Sequence, residues 1–489
     1  MRKRSASMLL LMVGALLLSA GAFISAWATT YPSPTNRFMR DSVDICDQGS
    51  FFVGGALKTT RYLGSSNPSA NNSTIVVGQM YVSFQIPKKS TGYPIIMISG
   101  GAHTGASLES TPNGDEGWAP YALRNGFPVF NVDQAGRGRS GFDSSAIHEG
   151  KGRLILNDPT GAALIPNFLT LGPNSDWTSW FGHLVLPGTA TTTGDITIGE
   201  LVPHGWRPDD PNSVAAIPSH GVGVMPQFPI HSSTPYLRPD QTPNSSLTLN
   251  FTNSGTWGPT PFGPTEFYNL DYYRQNVPNS EQTLPTATCS TCNPQILTGA
   301  FASSQVWTST DVAELVKNLG QNYGGAIVVT HSQSGPIGHH LVRILREQNT
   351  LKYLKGLVTV EGTSCSMPAA GINESDFDNV PYMVLKGDYS GTNASCTTTV
   401  NAIIARRLAG SGTAAVEYIK LDEAPSAANA WPQPLDRPIM QGITHMMMDG
   451  SDEGRGYDAL DVMDVILKWG QAHFPKPKMQ NCPQGKNKG

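Results

Sequence analysis

Charge is scarce in this chain. Only 14% of its 489 residues are Asp, Glu, Lys or Arg, and the formal net charge is −4. The isoelectric point is about 6.3. Past Arg2, Lys3 and Arg4 no basic run occurs, which removes the electrostatic footprint of a nucleic-acid-binding protein. Long apolar runs are equally few. Met8–Ile24 is one, and no later stretch is apolar enough to cross a bilayer. Cysteine is limited to Cys46, Cys289, Cys292, Cys365, Cys396 and Cys482. Cys289 and Cys292 have the spacing of half a zinc site, but no second ligand pair lies nearby. Asn293-Pro294 do not supply the helix that a redox pair needs. No metal or cofactor is expected.

Glycine (51) and proline (37) are plentiful, as in a loop-rich globular protein rather than a coiled or disordered one. Residues 1–28 read as a secretory signal: a basic start, the apolar Met8–Ile24, and the small-x-small site Ala26-Trp27-Ala28. An uncleaved anchor is the competing reading. No cysteine follows the apolar region, which argues against a lipoprotein. The expected location is therefore secreted or periplasmic. Six cysteines in an exported chain imply disulfides, with Cys289–Cys292 as a local pair.

The stretch Gly325–Gly335, GAIVVTHSQSG, organises the rest. An apolar run, a turn rich in hydroxyls and a helical pattern (Ile337, Leu341, Val342, Leu345) form a nucleophile elbow. Such a turn lifts a serine above a sheet edge and aims the first helical N–H groups at the space over it. Ser332 fits the exposed tip. Ser334 is the alternative, but that register would delay the turn and put Pro336 on its flank. With Ser332 at the tip, Pro336 falls in the first helical turn, where a missing N–H costs nothing.

Strand and helix signals alternate on both sides. Thr74–Pro87 reads as strand or hairpin, Tyr93–Ser99 as a buried strand, Trp118–Arg124 as helix and Pro128–Val132 as strand. After the elbow, strands are expected at Leu357–Val360, Pro381–Leu385 and Ala415–Leu421. Helices are expected at Thr308–Leu319, Thr398–Ala409 and Leu460–Phe474. This order means a mostly parallel α/β sheet flanked by helices. Residues 29–148 and 304–489 form its two halves. Residues 149–303 are rich in Pro, Thr, Asn, Ser and Gly, with scattered aromatics and no helical period. They are too long for a simple loop and read as a cap or lid insertion.

Acyl transfer by serine needs a base, an acid that orients the base, and donors for the oxyanion. His445 lies after the last expected strand and before the last helix, where the order serine, acid, histidine places the base. The acid is Glu361 or Asp388, each at the end of a strand. The Gln333 N–H follows the serine, and the Gly100-Gly101-Ala102 loop after the early strand offers the second donor at Gly101. Asp133–Ser140 offers a charged site as one reading, and a glycine-rich strand-to-loop turn as the preferred one.

The blocks ISGGAHTGASLESTPNGDEGW, VFNVDQAGRGRS, THSQSG, VTVEGTSC and ITHMMMDG, in this order, resemble the bacterial serine esterases of the esterase-713-like group. Those enzymes belong to the α/β-hydrolase superfamily. The resemblance covers most of residues 93–148 and 304–475. It implies an α/β-hydrolase fold and an exported carboxylic-ester hydrolase with a Ser332, His445, Glu361 triad. It also implies a Cys365–Cys396 disulfide, leaving Cys46–Cys482 by elimination. Two departures stand out. Gly101-Ala102 replaces the adjacent cysteines that members can carry in the oxyanion loop, and the insertion is longer than expected. The expected partner is a small-molecule or polymeric ester. Nucleic acid is not a partner, nor is a membrane once the signal is cleaved, and a homodimer is compatible with the chain. A polyester depolymerase and a non-catalytic surface-binding protein are the rival readings.

Overall fold

The computed structural model describes residues 38–64, 68–111, 115–165, 303–362, 371–387, 394–440 and 459–474, with short pieces at 168–169, 184–185, 196–197, 275–277, 279–280, 365, 367, 443 and 445–449. Nine strands form one sheet: β1 (Ile45–Thr60), β2 (Ser73–Pro87), β3 (Ile95–Ile98), β4 (Val129–Asp133), β5 (Ala326–His331), β6 (Leu354–Val360), β7 (Tyr382–Lys386), β8 (Val416–Lys420) and β9 (Ala430–Trp431). Their order across the sheet is β1-β2-β4-β3-β5-β6-β7-β8-β9. From β4 to β8 all neighbours are parallel, while β1, β2 and β9 join antiparallel.

The central strands are apolar runs because both faces are covered. β3 (IIMI) and β5 (AIVVTH) are buried throughout. Alternate residues of each strand enter opposite cores. Ile95 and Met97 pack with helices α1 (Trp118–Arg124) and α6 (Ala459–His473). Ile96 and Ile98 pack with α3 (Ser303–Tyr323), α4 (Gly335–Glu347) and α5 (Ala394–Leu408). α2 (Ser145–Ile155) follows the β4 loop. Trp118 Nε1 donates to Ala459 O at 2.7 Å and ties α1 to α6.

The register places the loops that matter. Ile98 pairs with Thr330, Thr330 with Thr359, and Val360 with both His331 and Leu385. The carboxyl ends of β3, β5, β6 and β7 therefore finish at one sheet edge, where open α/β sheets bind ligands. Residues 99–105, 332, 361 and 387 leave the sheet side by side.

Two expectations change. β1 carries no expected strand, because Gly54 (φ 68°) and Gly55 (φ 89°) interrupt its alternation; it pairs with β2 as one long hairpin. The helix expected at Thr308–Leu319 starts earlier, at Ser303. Most of the insertion 149–303 lies outside the described residues, as does the signal at 1–28. Cys365 and Cys396 are bridged, with an S–S distance of 2.00 Å, joining the segment after β6 to α5. Cys46 is disulfide-bonded too; Cys482, Cys289 and Cys292 lie outside the described residues.

Candidate active site

β5 ends in extended backbone at His331, and the chain reverses at Ser332 with φ 52°. A left-handed serine costs about 1–3 kcal/mol and persists only where its surroundings hold it. Ser334 does much of the holding. Its Oγ accepts from His331 N–H at 2.7 Å and lies 2.8 Å from His331 O and 3.0 Å from Ile98 O, one of which takes its proton. A turn over Ser332–Ser334 leads straight into α4, and Pro336 sits in the first turn of that helix. Gly100 closes the elbow from the other side. A Cβ there would stand 2.7 Å from His331 Nδ1 and 2.9 Å from Ser332 Cβ.

Ser332 is thus at the tip and Ser334 is built into the turn beneath it, 0% exposed. Contrary to the sequence expectation, the tip is not open: Ser332 is only 6% exposed, packed between the Gly100 loop and the His445 segment. Ser334→Ala should therefore read out in stability. Removing a buried hydroxyl of this kind costs about 1–3 kcal/mol. Thermal melting should drop, while the folded fraction keeps hydrolytic turnover within about tenfold of wild type, by transition-state arithmetic.

His445 Nε2 lies 2.8 Å from Ser332 Oγ, and His445 Nδ1 lies 3.5 Å from Glu361 Oε2. The three side chains expected from the sequence come together although 113 and 84 positions of chain separate them from one another along the sequence (445 − 332 and 445 − 361). Glu361 also turns with positive φ, 49°, directly after β6. It is 1% exposed. Its Oε1 accepts from Gly387 N–H at 2.5 Å, and its Oε2 accepts from Lys386 Nζ at 2.7 Å. Burial pushes this carboxyl up, but Lys386, His445 and the Gly387 amide outweigh burial and bring it down to about 2. Gly387 must be glycine because a Cβ would stand 2.5 Å from Ile443 O, in the segment that carries His445. Asp388, the other acid weighed from the sequence, lies outside the described residues.

Two partners were not legible. His331 stands in the sequence only as part of the elbow. Its Nε2–H donates to His445 O at 2.9 Å, while the ring's other nitrogen accepts from the Ser334 N–H. This buried ring links the elbow to the His445 segment. Burial, and then the neighbouring His445, push it well below the ordinary histidine value, so it stays neutral. Lys386 is the second, since nothing in PYMVLKG marks its lysine as the partner of a buried glutamate.

Gly101 lies in the loop after β3, and Gln333 follows Ser332 at the elbow. Two expected oxyanion donors thus flank one serine. Asp133 Oδ1 and Oδ2 hold the Gly105 and Arg139 amides at 2.8 and 2.7 Å, so the DQAGRGRS turn anchors the far end of this loop. Among the described residues, no group of three or more His, Cys, Asp or Glu could hold a metal ion.

No family model matches the chain. A solved structure described as "The Atomic Resolution Structure of a Novel Bacterial Esterase" aligns with a TM-score of 0.54 at 22% identity, covering 90% of this chain and 99% of that one. The chain has the α/β-hydrolase fold. A curated protein of Fungal sp. (strain ATCC 74256), described as "Probable secreted lipase phiG", is 34% identical over 119 residues. That match spans 24% of this chain and about 30% of the relative's length. In the hydrolase fold the nucleophile stands on a strained strand-to-helix turn at the top of the sheet. Ser332, at φ 52°, stands on the turn between β5 and α4.

Proposed function

We propose that this chain is an exported serine carboxylic-ester hydrolase working through an acyl-enzyme. The observation that carries the reading is the Ser332 Oγ to His445 Nε2 contact of 2.8 Å, backed by Glu361 on the other imidazole nitrogen. His445 Nε2 takes the Ser332 proton as Oγ adds to the ester carbonyl carbon. The carbonyl oxygen becomes an oxyanion, held by the Gly101 and Gln333 N–H groups. The imidazolium then returns its proton to the alcohol oxygen as the C–O bond breaks, leaving the acyl group on Ser332. Water repeats the sequence: His445 takes its proton, hydroxide adds to the acyl carbon, and Ser332 leaves with that proton. Glu361, held ionised by Lys386 and the Gly387 amide, orients the imidazole and offsets its transient charge.

The likeness to a bacterial esterase and, over a short stretch, to a secreted lipase supports ester chemistry and export. The signal expected at residues 1–28 agrees with export. Incubation with a fluorophosphonate probe, followed by peptide mapping, tests the reading. One equivalent of label on the peptide bearing Ser332 is expected. A chain that hydrolyses esters but takes no label, or takes it on another residue, would sink it.

A further inference from the structure

Arg137 is a buried cation that the reaction does not yet use. It is 2% exposed. Among the described residues it makes no ion pair: the nearby Asp133 is engaged by Arg139 at 2.9 and 3.0 Å. A buried unpaired charge is expensive, so what Arg137 holds matters. One arm, Nη1, donates to Gly100 O at 2.7 Å and reaches His103 O at 3.4 Å. The other, Nη2, donates to the Gln333 side chain, Oε1, at 3.0 Å. Burial pushes its pKa down to about 10, which leaves it charged at neutral pH.

The Gly100 carbonyl and the Gly101 N–H belong to one planar trans peptide, so they point opposite ways. Anchoring the carbonyl on the guanidinium fixes the direction of that N–H. Hydrogen-bond cooperativity also makes it a stronger donor, since the carbonyl is polarised by a charge. The neighbouring peptides are held in the same manner. Gln134 Nε2 donates to Ser99 O at 2.8 Å, and His103 Nδ1–H donates to Gly101 O at 2.7 Å. Val277 N–H donates to Ala102 O at 2.7 Å, and Ser99 Oγ donates to His103 O at 3.1 Å. Ala102 needs this support, having φ 57°. Of these anchors, Arg137 alone also reaches across to the elbow.

We infer that Arg137 is the positioning residue of the oxyanion hole: its two arms fix the peptide carrying the Gly101 N–H and lock that loop to Gln333, which carries the second donor. This rests on the serine-hydrolase reading. An oxyanion forms only on the way to the tetrahedral intermediate, so a misplaced donor lowers kcat and leaves KM nearly untouched. Losing one such donor costs on the order of 10²–10³ in kcat.

The test measures kcat and KM on p-nitrophenyl butyrate for wild type, Arg137→Gln and Arg137→Lys, together with inhibition by an alkyl trifluoromethyl ketone, which adds to serine as a tetrahedral oxyanion. Arg137→Gln should lose about 10²-fold in kcat with KM within about threefold, and its trifluoromethyl ketone affinity should fall in step. Arg137→Lys should recover part of the loss, because an ammonium can reach one carbonyl but cannot fork to both partners. A folded Arg137→Gln with wild-type kcat and ketone affinity would overturn the inference. So would a loss confined to KM. If Arg137 variants do not fold, Gln333→Leu decides. It removes the acceptor of the second arm and keeps the backbone N–H, and should lower kcat and ketone affinity by about tenfold, as expected for a loosened donor; unchanged values would overturn the inference. A wild-type protein with neither ester hydrolysis nor ketone binding would instead refute the hydrolase reading, and the inference with it.

Discussion

Ser332→Ala is expected to abolish ester hydrolysis, with a loss on the order of 10⁶ in kcat, the scale found when a triad serine is removed. Melting should stay within a few degrees of wild type. Ser332 Oγ has His445 Nε2 as its hydrogen-bond partner at 2.8 Å, and the turn is held instead by Ser334 and His331. Losing one such bond costs about 1 kcal/mol. The contrast with Ser334→Ala is the informative part. One substitution removes chemistry and spares the fold, while the other weakens the fold and spares chemistry. Steady-state kinetics and a thermal melt on both variants measure it. An active Ser332→Ala with a dead, well-folded Ser334→Ala would shift the elbow by two residues.

Glu361→Gln is the second large effect. Loss of the acid costs on the order of 10⁴ in kcat in a serine protease, because the imidazole loses its tautomer and its imidazolium is no longer stabilised. A similar collapse is expected here. The variant should also melt lower than wild type, since it leaves the largely buried Lys386 ammonium facing a neutral amide. Asp388→Asn should cost about tenfold or less in kcat, as befits a group outside the triad. The reverse ranking on one activated ester would move the acid to Asp388. The pH dependence has a definite sign. The folded carboxyl of Glu361 is depressed from 4.5 to about 2, so its stabilising charge is present above pH 4.5 and is lost only as the pH falls toward 2. Activity lost between pH 4.5 and 7 therefore reports a group other than Glu361.

The site was legible where its logic is local or follows chain order. The apolar run Ala326–Val329, stopping at a hydroxyl-rich turn, read as a buried strand. Pro336 weighed against one register of the turn, and His445 stood alone between the last strand and the closing helix. Periodicity left Glu361 as one of two strand ends, and only the family resemblance favoured it over Asp388. What escaped depends on contacts distant in sequence. Arg137 reaches Gln333 across 196 positions and His331 reaches His445 across 114, and neither contact leaves a periodic signal. The DQAGRGRS block looked like a turn kept for its glycines. Its turn is real, with Gly136 and Gly138 both at positive φ, yet its arginine and glutamine grip the loop after β3. The hidden tip of Ser332 likewise comes from packing, because strand-to-helix patterning says nothing about what lies over the turn.

The central claim, a covalent acyl-enzyme on Ser332, is tested most directly by rapid acid quench during the first turnover of a p-nitrophenyl ester, with mass spectrometry of the digested protein. The peptide bearing Ser332 should gain the mass of the acyl group, in step with a stoichiometric release of p-nitrophenol, and the gain should vanish in Ser332→Ala. Hydrolysis with no acyl adduct at any quench time, or with the adduct on Ser334, would contradict it.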